Sequence, residues 1–136
     1  MNLTEAIYDR LVADSDLADM LAEYDNGPAI FTTDPAPANA VLPYIVSAGH
    51  VAVSAHDTKT TRGRQIWRDV RCYAPASGSA LVIESIAERV RNLLHRHNLQ
   101  ISNGETWVAE ASGPIAADEE DAYGRIVTIR LIIMEV

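Results

Sequence analysis

The chain has one cysteine, Cys72, in 136 residues. No disulfide can form within it, and nothing points to an oxidising compartment. No apolar run approaches the ~18 residues that span a bilayer. The first residues, MNLTEAIYDR, are polar and acidic, unlike a signal peptide. These absences predict a soluble protein made and kept in a reducing cytoplasm, with no membrane partner. Basic residues are few: 11 Lys and Arg stand against 19 Asp and Glu, a formal net charge of -8. Such a chain does not bind nucleic acid by bulk electrostatics, because neutralising phosphates takes Lys and Arg. Catalytic signatures are missing too. There is no HExxH, no Gly-x-Ser-x-Gly, no P-loop and no Gly-x-Gly-x-x-Gly, and no internal repeat or low-complexity segment.

What is present suits one α+β domain over residues 1–136, long enough to hide roughly two-thirds of its unfolded surface without staples. The apolar fraction of 48% is that of an ordinary globular protein. Charge is uneven. Residues 1–34 carry eight acidic side chains and one basic, Arg10, whereas residues 58–71 carry Lys59, Arg62, Arg64, Arg68 and Arg71 against Asp69 alone. Two opposed poles suit a subunit that meets copies of itself head to tail; the plainer alternative is two solvated faces.

Asn2 and Glu5 have capping-box spacing, and Leu3, Ile7 and Leu11 repeat on one helical face. Asp14 or Ser15 caps a second short turn, which Asn26-Gly27-Pro28 ends. Ala29–Thr32 reads as a short strand, and the segment from Asp34 to Asn39, with two prolines, as a loop. Tyr44–Ala55 and Gln65–Tyr73 read as two long strands joined by the charged connector His56–Arg64. A connector with Asp57, Lys59, Arg62 and Arg64 resists burial, so this β-hairpin is expected to project. Ser79–His97 carries a broad apolar stripe from Val82 to Leu94 at helical spacing. Leu99–Ser102 and Glu105–Ala111 are expected to form a hairpin about a type I′ turn at Asn103-Gly104. Ser112–Gly124 reads as a loop containing Asp118, Glu119, Glu120 and Asp121. Arg125–Val136 is a final strand apolar on both faces, hence central or covered by another subunit. The connections are too short for crossover helices, so the expected fold is a mainly antiparallel sheet with the long helix packed across one face.

Candidate chemistry is sparse. His50 and His56 share a strand face if that strand is unbroken, and with Asp57 they are the best metal or ligand set; surface histidines are the plain alternative. His95 and His97 suit a helix C-terminus. Cys72 lies in a strand and reads as a small hydrophobe. Ser79 resembles a helix start. The 118–121 run lacks the alternating ligands of a calcium loop and reads as solvated. Trp67 and Trp107 are either core or interface anchors. No catalytic residue, cofactor or metal is expected.

Taken together, several segments resemble the tail-completion, or tail-terminator, proteins of long-tailed bacteriophages and phage-like particles. They are Ala6-Ile7-Tyr8 with Leu11, the step from Ala13 to Ala18, Ala29-Ile30-Phe31, and Leu42-Pro43-Tyr44-Ile45-Val46. Further along come Asp57-Thr58-Lys59-Thr60, Val70–Tyr73, the helix from Ile86 to Leu94, and Asp121-Ala122-Tyr123-Gly124-Arg125 before a hydrophobic last strand. The order and spacing of all of them carry the likeness. The resemblance implies a structural protein of the virion, assembled in the host cytoplasm. It would be a homo-oligomeric, hexameric ring on the head-proximal end of the tail tube, which stops tube growth and offers a surface to the head connector while DNA passes through unbound. The connector residues Asp57, Lys59, Arg62 and Arg64 are expected to touch neighbours or the tube protein, and the acidic run to face the lumen or solvent. Two other readings stay open: a head-closure or adaptor protein on the portal side, and a small ligand-binding or metal-dependent domain using His50, His56 and Asp57.

Overall fold

The computed structural model describes residues 2–49, 51–77, 79–119 and 121–136. In chain order the elements are α1 (Leu3–Val12), α2 (Ser15–Met20), β1 (Glu23–Tyr24), β2 (Gly27–Pro28), β3 (Ile30–Phe31), β4 (Tyr44–Val46), β5 (Ala52–Ala55), β6 (Gly63–Pro75), α3 (Leu81–Leu94), β7 (Gly104–Ala116) and β8 (Ala122–Glu135). β1 and β2 form a separate two-residue ribbon. The main sheet runs β3-β4-β6-β8-β7, with β5 pairing on the same side of β6 as β4. All of its pairings are antiparallel except β3 with β4.

The apolar periodicities explain the layers. β8 lies between β6 and β7 and turns Val127, Ile129, Leu131 and Ile133 towards α3, all fully buried. Val70, Ile66 and Cys72 of β6 join that face, and α3 closes it with Ile83, Ile86, Ala87, Val90 and Leu94. α1 and α2 pack beside α3, burying Leu3, Ile7, Leu11 and Leu17 in the same core. Among the described residues no helix packs over the opposite face of the sheet. At one end the proline-containing loop lays Ala36 and Leu42 against Val46 and Tyr73. Elsewhere that face shows cross-strand polar pairs: Thr128 donates to Asp69 at 2.7 Å, and Arg130 meets Glu110 at 3.5 Å.

The two sheet edges are treated differently. β7 is partly capped by the chain just after α3: Arg96 N–H donates to Ala109 O at 2.8 Å, and Ala111 N–H donates to His95 Nδ1 at 3.0 Å. β5 is exposed along its whole length and carries neither charge nor proline, the usual protections of an edge.

Several sequence-based expectations need correction. Tyr44–Ala55 is not one strand. Between Val46↔Arg71 and Ala52↔Trp67 the chain spends six steps where β6 spends four, so it bulges out between β4 and β5. Leu99–Ser102 forms no strand, because Leu99 is drawn into the core and Ser102 N–H is held by Asn2 Oδ1 at 2.7 Å. Asn103 alone has positive φ there. The paired positive φ values of a two-residue turn fall instead at Asp25 and Asn26, between β1 and β2. Residues 112–116 continue β7, and the loop shrinks to 117–121. The long helix is shorter than 79–97, ending at Leu94. Asn2 sits at the N-cap of α1 without capping it through its side chain.

Asp14 does cap α2, accepting from Leu17 N–H at 2.9 Å, and also accepts 2.8 and 2.6 Å bonds from Arg89 of α3. This ties the two helices together. Asp14→Ala is expected to cost about 1 kcal/mol through the lost cap alone. The hydrogen bond from Arg89 holds the Asp14 carboxyl below the usual carboxylate range. Its pKa is thus lower folded than unfolded. The unfolded chain binds the proton more readily, and the contribution is present at neutral pH and lost as pH falls below ~4. Urea unfolding at pH 7 and pH 3 is expected to show a smaller acid penalty for Asp14→Asn than for the native chain.

Candidate assembly interface

The connector emerges as a short turn at the end of the sheet, not as a free arm. β6 stays paired to β8 out to Gly63↔Met134, and beyond it Glu135 N–H donates to Arg62 O at 2.8 Å. Asp57 folds inward on the turn, its Oδ1 accepting from Gly63 N–H at 3.1 Å. The hydroxyls of Thr58 and Thr61 bond to each other, and Thr61 N–H donates to Thr58 Oγ1 at 3.0 Å. Gly63 has no room for a side chain: an added Cβ would lie 2.2 Å from Met134 Sδ and 2.7 Å from His56 O. The scaffold therefore presents Lys59, Arg62 and Arg64 outward, all exposed and none in an ion pair with a described residue. Arg71 is exposed as well. Arg68, counted with the basic pole in the sequence, is instead buried at 1% exposure beside the bulge between β4 and β5. Its Nη2 donates to Ser47 O at 3.3 Å, while its Nε and the buried Ser47 Oγ find no partner among the described residues. Burial lowers its pKa.

Asp118, Glu119 and Asp121 of the acidic run lie between β7 and β8. Asp118 Oδ1 accepts from Gly124 N–H at 3.1 Å and from Arg125 at 2.9 Å, so this carboxylate builds the turn. Asp118, Glu119 and Asp121 are exposed. Glu120 lies outside the described residues, as does His50 of the candidate ligand set. His56 is exposed, and its backbone N–H continues the ladder by donating to Gly63 O at 2.9 Å. Among the described residues no group of three or more His, Cys, Asp or Glu is placed to hold a metal ion. Cys72 is fully buried, and burial pushes its thiol up to about 12. That environment disfavours the thiolate a nucleophile needs. Trp67 is half-buried on the helix-free face. Trp107 is exposed at a register shift in β7.

Sequence reasoning missed the β5 edge, where Val51 and Val53 are exposed at 60% and 50%. A charge-free Ala-Val-Ser-Ala segment gave no hint that it lay at an edge.

Rigid strands presenting unpaired charge, with the sole thiol sealed in the core, have the character of a structural subunit built to meet other proteins. The family comparison specifies which. Residues 5–134 match the model of the family described as tail completion protein gp17, and the chain belongs to that family. It is therefore a structural tail-completion protein of the bacteriophage type, and its place is the virion. A chain from the solved virion of a native gene transfer agent particle shares the fold, with a TM-score of 0.78 at 21% identity, over 97% of this chain and 94% of that one. No curated protein matches the chain.

Proposed function

We propose that this protein is the tail terminator: a hexameric ring that caps the head-proximal end of the tail tube, stops its growth and joins tail to head. The observation that carries the reading is the family match over nearly the whole chain, coupled to a surface whose acidic and basic poles lie on separate elements. Opposite poles on one subunit suit a heterologous contact that closes into a ring. Lys59, Arg62 and Arg64 contact the neighbouring subunit or the tube protein. The 118–121 turn faces the lumen or solvent, where carboxylates repel DNA phosphates and leave the passage free of tight binding. No catalytic step is assigned to the chain.

Arg62→Glu/Arg64→Glu tests the basic turn. Placing like charges across an interface costs several kcal/mol, so head-joined tails are expected to fall by about tenfold or more while the isolated protein melts normally. Normal joining by this variant would remove the turn from the interface. Pull-down on purified tail tubes and, separately, on filled heads distinguishes the terminator from a portal-side adaptor, which would bind the heads alone.

A further inference from the structure

A groove of about 820 Å³ lies between the start of α1, the β1–β2 ribbon and β3. Its walls include Tyr8, Tyr24, Ile30 and Phe31, and its charged lining residues are Glu5 and Asp25. Both carboxylates are exposed and neither forms an ion pair with a described residue. β3 is the terminal strand of the sheet. Ala29 O and Phe31 O accept from Ile45 and Ser47 of the β4 side, so by the alternation of a parallel ladder the N–H and C=O of Ile30 point away from β4, towards this edge. The groove thus offers an aromatic and aliphatic wall, two uncompensated carboxylates and a strand edge. A projecting basic segment answers the carboxylates by charge and the rings by cation–π contact.

The chain carries such a segment, and it cannot reach its own groove. Lys59 to Arg64 stands at the tip of β6, whereas β3 joins the sheet through Ile45, which pairs with Cys72. From Gly63 to Cys72 the strand runs about 30 Å at ~3.3 Å per residue. We infer that the basic turn at Lys59, Arg62 and Arg64 of one copy seats in the groove bearing Glu5 and Asp25 on the next copy, as the head-to-tail contact of the assembly. The inference rests on the ring reading and adds which two surfaces meet. Charge complementarity selects the occupant: DNA would satisfy the turn but not the acidic groove, while a second copy satisfies both at once.

Lys59 is the only lysine in the sequence, so it is the one side-chain amine that a zero-length carbodiimide cross-link can use, and peptide mapping separates its products from those of the α-amino group. Full-length ¹⁵N-labelled and unlabelled protein would be mixed, with and without tail tubes, cross-linked and digested, with native mass spectrometry run in parallel. The expected product is a mixed-isotope peptide pair joining Lys59 to Glu5 or Asp25. Arg62→Glu/Arg64→Glu is expected to raise the concentration needed for assembly about tenfold, and adding Glu5→Arg/Asp25→Arg to restore it to within about threefold, as complementary charges do in a coupled cycle. Should the reversals unfold the chain, as judged by circular dichroism, Glu5→Gln/Asp25→Asn replaces them, and a rise in the concentration needed for assembly with the fold intact supports the same contact. A ring whose Lys59 couples to other carboxylates of the chain, or to the tube protein, overturns this contact and leaves the ring standing. The absence of any oligomer in solution or on tubes overturns the ring reading and this contact with it.

Discussion

Leu131→Ala is expected to lower the unfolding free energy by about 2–5 kcal/mol, the range for removing a fully buried leucine whose surroundings cannot collapse. Leu131 has no exposed surface. It lies in mid-β8 and pairs with Ile66 on one side and Ala109 on the other. α3 packs over this face, so the lost volume has structure on every side. The matching control is Ile115→Ala. Ile115 is 62% exposed on β7, and its truncation is expected to stay within about 0.5 kcal/mol. Urea unfolding of the two variants measures the contrast; equal costs would show that α3 does not seal the β8 face as described. The consequence reaches function. β6, β7 and β8 are 13, 13 and 14 residues long, and the basic turn is held at their far end. Loosening the middle of this sheet is expected to weaken assembly even though Leu131 touches no partner.

The parts of the fold that were legible are those in which one physical term dominates. β8 is apolar on both sides, which suits a central strand or one covered by another subunit, and it lies between β6 and β7. The stripe from Val82 to Leu94 repeats at helical spacing and faces the core from Ile83 on, while Val82 itself is exposed. Asp14 before an apolar run announced its cap. The failures occur where a local preference is outvoted. Asn103-Gly104 looks like the centre of a two-residue turn, but only Asn103 takes positive φ and Gly104 already opens β7, where a Cβ would lie 3.0 Å from Ile133 Cγ2. Gly113-Pro114 looks like the end of a strand, yet a register shift between Ser112 and Ile115 absorbs both within β7. A proline is tolerated there because β7 is an edge strand. Among the site residues, Lys59, Arg62 and Arg64 could be read as exposed because three cations in six residues resist burial. The groove could not, since Tyr8, Tyr24 and Phe31 become neighbours only through the parallel β3–β4 pairing and the packing of α1.

Arg68 is the residue for which composition misled most, and replacing it by methionine is expected to stabilise the isolated protein by about 1–3 kcal/mol. A buried charge without a carboxylate is costly, and exchanging such groups for apolar side chains of similar volume is often stabilising. Arg68 sits on the core face, paired with Ile129, with Ile66 and Val70 as its neighbours along that face of β6. What it gains in return is one 3.3 Å bond to Ser47 O, with Nε unpartnered. A bond that long holds little, and removing an orphaned buried donor removes its desolvation cost. Methionine fills the space with a flexible chain and no polar atom. Thermal and urea unfolding decide the sign. A loss of more than about 1 kcal/mol would mean that the guanidinium is what holds the bulge between β4 and β5, and hydrogen exchange separates the cases. If Arg68 anchors the bulge, the variant exposes the amides from Val51 to Ala55 to faster exchange; if Arg68 is merely trapped, they exchange as before. The second pattern, with a higher melting point and unchanged β5, would identify Arg68 as a residue kept at a cost to the monomer, and would make its effect on head-to-tail assembly the quantity that explains it.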